Sequence, residues 1–443
     1  MDVILERSHE LKQALVDFVL DAEGELAQAL ESYAAAQLRR GSGDSTQQDL
    51  TIDSFLTDGK VGDKSPLDLF IESHPDLAES DRSLINSWHH SFIGLFAITS
   101  ILPDGFELTN WLTDKRYIVK PNNTQTLQAI SRLKVGEILL TRISPVTDSY
   151  WMFSGPYTIM GKLGKPKLAV AIGNFKENYK SNLYSDAPDL LEEAWQSVEK
   201  YHQQFVDFFG TDEITLPGYQ LNKKIAEFQE VITEKTFAAA GIDTSKSLAE
   251  VAEAAGIGDE EIKAAAQEFG ADSNVVSEMF NSKNSKSKMV MPKVDLPAEL
   301  KKAEQVTALS HPRWGQMFLP TYSKVQAILS AEDWQSVQGA EKLIRYYLED
   351  KSINAFIWHR LAQQYPTQLE NVLQTFLQRP FRLESDLDAL LQEFYKPIEP
   401  ELPDIASVPI HLHNLFQEAL GEVNKSKPKG KGQQKPAKGF QRG

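Results

Sequence analysis

The sequence predicts an α+β protein, mainly helical, with one small antiparallel β-domain and a C-terminal helical bundle. Three observations lead there. Residues 91–175 alternate apolar and polar side chains, are rich in aromatic and β-branched types, and are cut by turn residues. Apolar residues recur at helical spacing on both sides of that stretch. The chain has 443 residues, 41% hydrophobic and 24% charged, which is a globular composition with room for two or three domains.

The chain opens with an amphipathic helical arm over residues 1–40. Leu11, Leu15, Phe18, Ala22, Leu26, Ala29 and Tyr33 fall on one stripe. Such a stripe suits either a coiled-coil arm that dimerises or a helix packed on its own protein. Residues 41–90 read as a linker, rich in Gly and Ser over 41–46, followed by short helices. Ser65 is placed to cap a helix that has Pro66 at its first position, and a second helix runs from Asp81 to Trp88.

The β-domain spans residues 91–175. Strands are expected at 91–102, 106–112, 115–120, 136–143 and 150–153, with Pro103-Asp104-Gly105 as a tight turn. Residues 167–172 are a possible sixth strand. Short sequential antiparallel strands close most economically into a small barrel of OB or SH3-like type. Its aromatics Phe92, Phe96, Trp111, Tyr117, Trp151 and Phe153 suit either the barrel core or a base-stacking platform.

Residues 176–280 return to helix. Within them, residues 247–262 (Ser-Leu-Ala-Glu-Val-Ala-Glu-Ala-Ala-Gly-Ile-Gly-Asp-Glu-Glu-Ile) resemble the helix-turn-helix of LacI-type repressors. Ala252, Gly256, Ile257 and Ile262 stand at the spacing of that family, and the likeness covers residues 247–266. It implies a helical hairpin. Its recognition helix would begin Asp259-Glu260-Glu261, and residues 241–270 hold seven acids against two lysines, a net of −5. A DNA reader neutralises phosphates with Lys or Arg, so the hairpin geometry is kept and sequence-specific DNA is not an expected partner. Residues 281–296, with their Asn-Ser-Lys pattern, read as a polar linker and the main domain boundary. Residues 297–420 read as a helical domain with helices around 343–348, 353–361, 369–377 and 387–394, the last two stopped by Pro380 and Pro397. Residues 421–443 are a basic tail expected to be disordered, since it has almost nothing to bury.

Chemistry is constrained mostly by what is missing. There is no cysteine, which excludes disulfides, thiol nucleophiles and Cys-ligated metals. No phosphate-binding loop, nucleophile elbow or zinc-protease motif occurs. His89-His90 are adjacent, and His411-Leu412-His413 has no third ligand at matching spacing. His202, His311 and His359 each stand alone on apolar faces, and His311-Pro312-Arg313-Trp314-Gly315 reads as a loop pinned by a buried Trp. No catalytic residue, metal or cofactor is assigned. There is no leader or run of about 18 apolar residues, so a cytoplasmic location without a membrane span is expected.

The net charge is −16. From Asn424 onward Lys425, Lys427, Lys429, Lys431, Lys435, Lys438 and Arg442 stand without one acid, which leaves −23 for the rest. The leading expectation is a non-catalytic adaptor or assembly factor that binds protein partners while the tail touches RNA or a ribonucleoprotein. The alternative is an RNA-binding protein that uses the small barrel, through Trp111 and Trp151, together with the tail. A third is an enzyme with its site between the domains. A dimer through residues 9–40 is compatible with each.

Overall fold

The computed structural model describes residues 2–38, 45–121, 132–239, 289–291 and 293–426. They group into two compact units. The first holds the chain up to Ala187 and returns for the C-terminal helix, Ile410–Ser426. The second takes residues from Pro188 to Val408, on both sides of the expected linker at 281–296.

In the first unit, α1 (Val3–Leu20) starts at Asp2, whose side chain accepts a hydrogen bond from the Leu5 N–H at 3.3 Å. The single helix expected over 9–40 is in fact two. After Leu20 the chain turns through Gly24, at φ +67°, and restarts as α2 (Glu25–Leu38). Glycine takes that left-handed conformation without the penalty a Cβ imposes. The apolar stripe survives the break because both helices feed one core: Leu11, Leu15, Val19 and Leu26 pack with Phe55, Leu67, Phe70 and Trp88. The stripe is thus covered within its own unit. Part of the expected linker is helical, since α3 runs from Ser45 to Asp58. α4 (Pro66–Ser73) has the expected cap, with Ser65 and Asp68 exchanging side-chain to backbone hydrogen bonds. α5 (Glu79–Ser87) leads into a 3-10 turn at Trp88–His90.

Five strands follow: β1 (Phe92–Leu102), β2 (Gly105–Asn110), β3 (Arg116–Lys120), β4 (Ile138–Pro145) and β5 (Trp151–Gly161). Their hydrogen-bonded order is β1-β2-β3-β5-β4, and β4 pairs back with β1, so the ladder closes on itself. One half of β1 serves β4 and the other serves β2, with a register shift between Ile98 and Ser100. The strands are not all antiparallel as expected. β3 and β5 run parallel where Val119 meets Trp151 and Lys120 meets Met152. The chain passes through β4 between them, which supplies the long connection that parallel neighbours require. The possible sixth strand at 167–172 is a helix, α6 (Lys165–Asn178). Pro166 sits in its first turn, and its buried residues Leu168, Ala171, Ile172 and Phe175 keep a helical spacing.

The helices are fixed to this sheet by buried charge. Arg142 on β4 has a side chain 1% exposed. It pairs with Asp58 and donates to Thr57 Oγ1 at 2.8 Å and to Ser91 O at 3.2 Å. Asp53 of α3 stands 3.7 Å from the Arg142 Nε, 2.9 Å from Lys12 Nζ of α1, and accepts from Ser154 Oγ of β5 at 2.8 Å.

The second unit begins with α7 (Pro188–Phe209), β6 (Glu213–Leu216) and α8 (Gly218–Ala239). Residues 297–420 are not wholly helical: β7 (Val306–His311) and β8 (Gly315–Leu319) join β6 in an antiparallel sheet ordered β6-β7-β8. β7 is buried at Val306 through Ser310, so it shows none of the alternation that marks a strand. Then come α9 (Tyr322–Leu329), α10 (Ala340–Glu349), α11 (Ala355–Gln364), α12 (Pro366–Leu377) and α13 (Leu383–Glu393). The last four match the four expected helices, and their apolar faces share one core around Tyr347 and Trp358.

Replacing Arg142 with Met strands Asp53 and Asp58 with one cation fewer. We expect the first unit to lose about 3–5 kcal/mol, read as an earlier transition in urea; an unchanged midpoint would show that the ion network does not fix these helices.

Candidate functional site

β4 starts and β5 ends at the same rim of the closed sheet, where Ile138 stands opposite Gly161 and Leu139 opposite Ile159. The turn leading into β4 is tied by Glu137 N–H to Lys134 O at 3.1 Å and by Lys134 N–H to Glu137 Oε2 at 3.0 Å. Gly136, at φ +87°, leaves space that the Lys162 side chain crosses; a Cβ there would stand 3.8 Å from its Nζ. Lys134 and Lys162 are exposed at this rim, and Arg132, Lys165 and Lys167, within five residues of them in the chain, are exposed as well. Lys165 pairs with Glu418 at 2.9 Å, which brings the C-terminal helix against the start of α6. Lys165 and Lys167 occupy the first turn of α6, which has no acid. The positive end of a helix dipole disfavours cations, so here side chains and backbone add to one positive potential. Between the cations lie the exposed apolar side chains Val135, Ile159 and Met160.

This site was missed from the sequence, although a signal existed. Residues 115–176 hold ten Lys and Arg against only Glu137 and Asp148, a net of +8, so the remainder of the chain carries −24. Not all ten are available. Arg142 is in the buried network, Lys115 donates to Asp186 O at 2.6 Å, and Lys120 pairs with Asp2 at 3.1 Å and Asp104 at 2.9 Å. Arg116 stands at the start of β3, 3.9 Å from Glu107, and Lys176 is in the last turn of α6; Lys134 and Lys162 are the pair that meets at the rim.

The opposite side of the sheet is occupied. Ile118, Val146, Tyr150 and Met152 pack into the core built by α1 to α5. Trp151, one of the two expected stacking residues, is half-buried, with Phe92 at 5.6 Å and Tyr117 at 5.2 Å, both edge-on. It belongs to the sheet interior. Burial, then the Asp186 carboxylate, pushes the Tyr117 phenol well above its ordinary pKa, and its hydroxyl donates to Asp186 Oδ2 at 2.6 Å. Trp111 sits in the turn after β2. Its N–H donates to Leu95 O at 2.9 Å, its carbonyl accepts from His411 Nε2 at 2.8 Å, and its buried indole N–H has no partner among the described residues. Neither tryptophan lies on an open platform. The C-terminal helix runs through Lys425; Lys427, Lys429, Lys431, Lys435, Lys438 and Arg442 lie outside the described residues, as do 241–270.

In the second unit the histidines do not stand alone. The rings of His202 and His311 are 6.5 Å apart, and His359 faces Asp388 at 2.7 Å. His311 Nδ1 accepts the backbone N–H of Arg313 at 3.0 Å and of Trp314 at 3.1 Å, which shapes the β7–β8 turn and lays Arg313 over the Trp195 ring at 3.9 Å. Arg360 clamps Asp212 at 2.7 and 2.9 Å and reaches Glu213 at 3.0 Å. Ser310 Oγ stands 3.2 Å from His202 Nδ1, so serine, histidine and carboxylate are neighbours. Ser310 is 1% exposed, however, and its hydroxyl meets no substrate. Among the described residues no three His, Asp or Glu side chains gather where they could hold a metal ion, and no helix is long and apolar enough to cross a membrane.

Comparison of the chain with family models, with curated proteins and with solved structures yields no match. The rim therefore has to be read from its own chemistry.

Two outcomes follow. Trp151→Ala is expected to cost the first unit about 3 kcal/mol in urea unfolding, because Trp151 is a packing residue; a stable variant would return it to the surface. Burial holds His202 and His311 below the ordinary imidazole pKa. The unfolded chain then takes up protons first as pH falls, so this contribution to stability is complete above about pH 6.5 and is lost on acidification. The second unit's urea midpoint should fall between about pH 7 and pH 5. The fall should shrink in His311→Asn, which can still accept both backbone N–H groups.

Proposed function

We propose that the protein binds RNA through the cationic rim of its closed sheet and through its basic tail. In this reading the order β1-β2-β3-β5-β4, with β3 and β5 parallel, is that of an OB-type barrel, an architecture suited to oligonucleotides. The observation that carries it is the charge contrast: residues 115–176 hold +8 in a chain that is otherwise at −24. A polyanion is steered to such a surface and repelled elsewhere. In many barrels of this type the ligand also uses the β4–β5 loop. Here Val146 and Tyr150 of that loop are buried under the N-terminal helices, so the rim at the start of β4 and the end of β5 is the open alternative. Ile159 and Met160 offer apolar contact to bases, while the lysines take phosphates.

A second reading, a non-catalytic adaptor or assembly factor that holds protein partners, is favoured by the second unit. Tyr219, Tyr346 and Tyr395 are 66%, 43% and 64% exposed there, and tyrosine is enriched at protein interfaces. The two readings are compatible: one unit holds RNA while the other holds protein.

The test is fluorescence anisotropy with labelled single-stranded RNA over a salt series. Binding should weaken steeply with salt, and the log–log slope should fall by about 0.7 for each phosphate contact removed. Lys134→Glu with Lys162→Glu is expected to lower both affinity and slope. Affinity indifferent to salt, or unchanged in the double variant, overturns the proposal; stronger capture by anionic vesicles than by RNA would reassign the ligand.

A further inference from the structure

The turn between β7 and β8 hangs on one nitrogen. His311 Nδ1 accepts the backbone N–H of Arg313 at 3.0 Å and that of Trp314 at 3.1 Å. An accepting ring nitrogen carries no proton, so the neutral His311 ring holds its proton on Nε2. Nδ1 is then its only basic atom, and the ring cannot take up a second proton without losing both bonds of the turn. The ends of the turn are fixed. His311 pairs with Gly315 across the ladder, and a Cβ on Gly315 would stand 2.6 Å from Pro403 Cβ and 3.2 Å from Ile405 Cγ2. Residues 312–314, between those ends, are what a proton releases.

Arg313 carries the change to the surface. It is exposed, and its guanidinium lies 3.9 Å from the centre of the Trp195 ring on α7. An exposed cation–π contact is weak, too weak to hold the turn in place of two hydrogen bonds. The elements packed around His311 supply the opposing and assisting charges. Its ring centre is 4.4 Å from that of Phe356 on α11 and 6.5 Å from that of His202 on α7. Burial and then His202 disfavour its charged form, Asp212 ahead of β6 favours it, and Arg360 of α11 disfavours it. Asp212 is itself held by Arg360 at 2.7 and 2.9 Å, and Glu199 of α7 favours a charged His202.

We infer that the β7–β8 turn is an acid-triggered switch. One proton on His311 Nδ1 opens residues 312–314 and lifts Arg313 off the Trp195 ring, while the strands and helices of the second unit stay in place. This device lies in the second unit and does not rest on RNA binding.

The test is hydrogen exchange of the full chain from about pH 7.5 to about pH 5, with rates corrected for the pH dependence of unprotected amides. Isotope-labelled histidine is followed by NMR in parallel. His311 should be the Nε2–H tautomer at the upper end. Below about pH 6.5 the Arg313 and Trp314 amides should lose protection by up to about tenfold per pH unit, the most that one proton drives. Amides of β7 and α11 should keep theirs. The Trp195 part of the emission, taken as the difference from Trp195→Phe, should change over the same range. That change should vanish in Arg313→Gln, in which the two amides still open. In His311→Asn protection should stay flat with pH, because Asn accepts both N–H groups and does not titrate. A protonated His311 with both amides still protected overturns the inference. So does a pH response that survives in His311→Asn, or a loss of protection shared by the whole unit, which is unfolding. If His311→Asn fails to fold, the histidine and amide titrations of the unaltered chain decide alone.

Discussion

Lys12, Asp53 and Arg142 are buried charges, and Asp58 is partly so. Each costs several kcal/mol to remove from water, and only close pairing offsets that cost. Pairing is geometric. Arg142 on β4 must find Asp53 and Asp58 on α3, and Asp53 must in turn find Lys12 on α1 and Ser154 on β5. A slip of any one element leaves an unpaired charge inside, so the network restricts where the N-terminal helices sit more than the surrounding apolar contacts do. Hydrophobic burial is non-directional and would accept several registers of α1 and α3 on the sheet.

That placement has a functional consequence. With one side of the sheet covered by α1 to α5, Val146 and Tyr150 of the loop between β4 and β5 are buried while Asp148 and Ser149 stay exposed, and Trp151 packs against the sheet's core. Where β4 begins and β5 ends the sheet is open to solvent, and Lys134 and Lys162 stand there. The C-terminal helix is tied to the start of α6 by Lys165 and Glu418. Excess positive charge within a strongly negative chain is repulsive toward nothing but other cations. Part of it, Lys134 and Lys162, is exposed where β4 begins and β5 ends, and a polyanion is the partner we propose for it.

The second unit is organised differently. Its sheet is narrow, and the strand β7 at its centre is almost wholly buried. Charged side chains gather at its margin, where Arg360 holds Asp212 and Glu213 and the turn after β7 is shaped by a neutral His311. An acceptor nitrogen with two backbone N–H donors cannot also carry a proton, so the turn and the position of Arg313 on Trp195 depend on that neutrality.

The sequence by itself determined the elements whose periodicity is their own. The four C-terminal helices, the Ser65–Asp68 cap and most of the β1 to β5 strands could be read because amphipathic repetition and capping chemistry are local. Three features went unread for physical reasons. Gly24 breaks the first helix without breaking its stripe, because both halves bury the same face. β6 is only four residues long, and β7 is buried at five consecutive positions that include Thr307 and Ser310, so its burial follows no alternation in the sequence. Residues 167–172 read as a possible strand because the run is short and apolar, whereas Pro166 in the first turn and the buried Leu168, Ala171, Ile172 and Phe175 belong to a helix. The net of +8 over residues 115–176 was present in the composition, but it was spread across strands rather than gathered in a run. Only the pairing of β4 with β5, which sets Ile138 against Gly161, brings Lys134 to Lys162 and makes a surface from a composition; charge becomes a site when strand pairing fixes distance, and distance is what sequence alone does not hold.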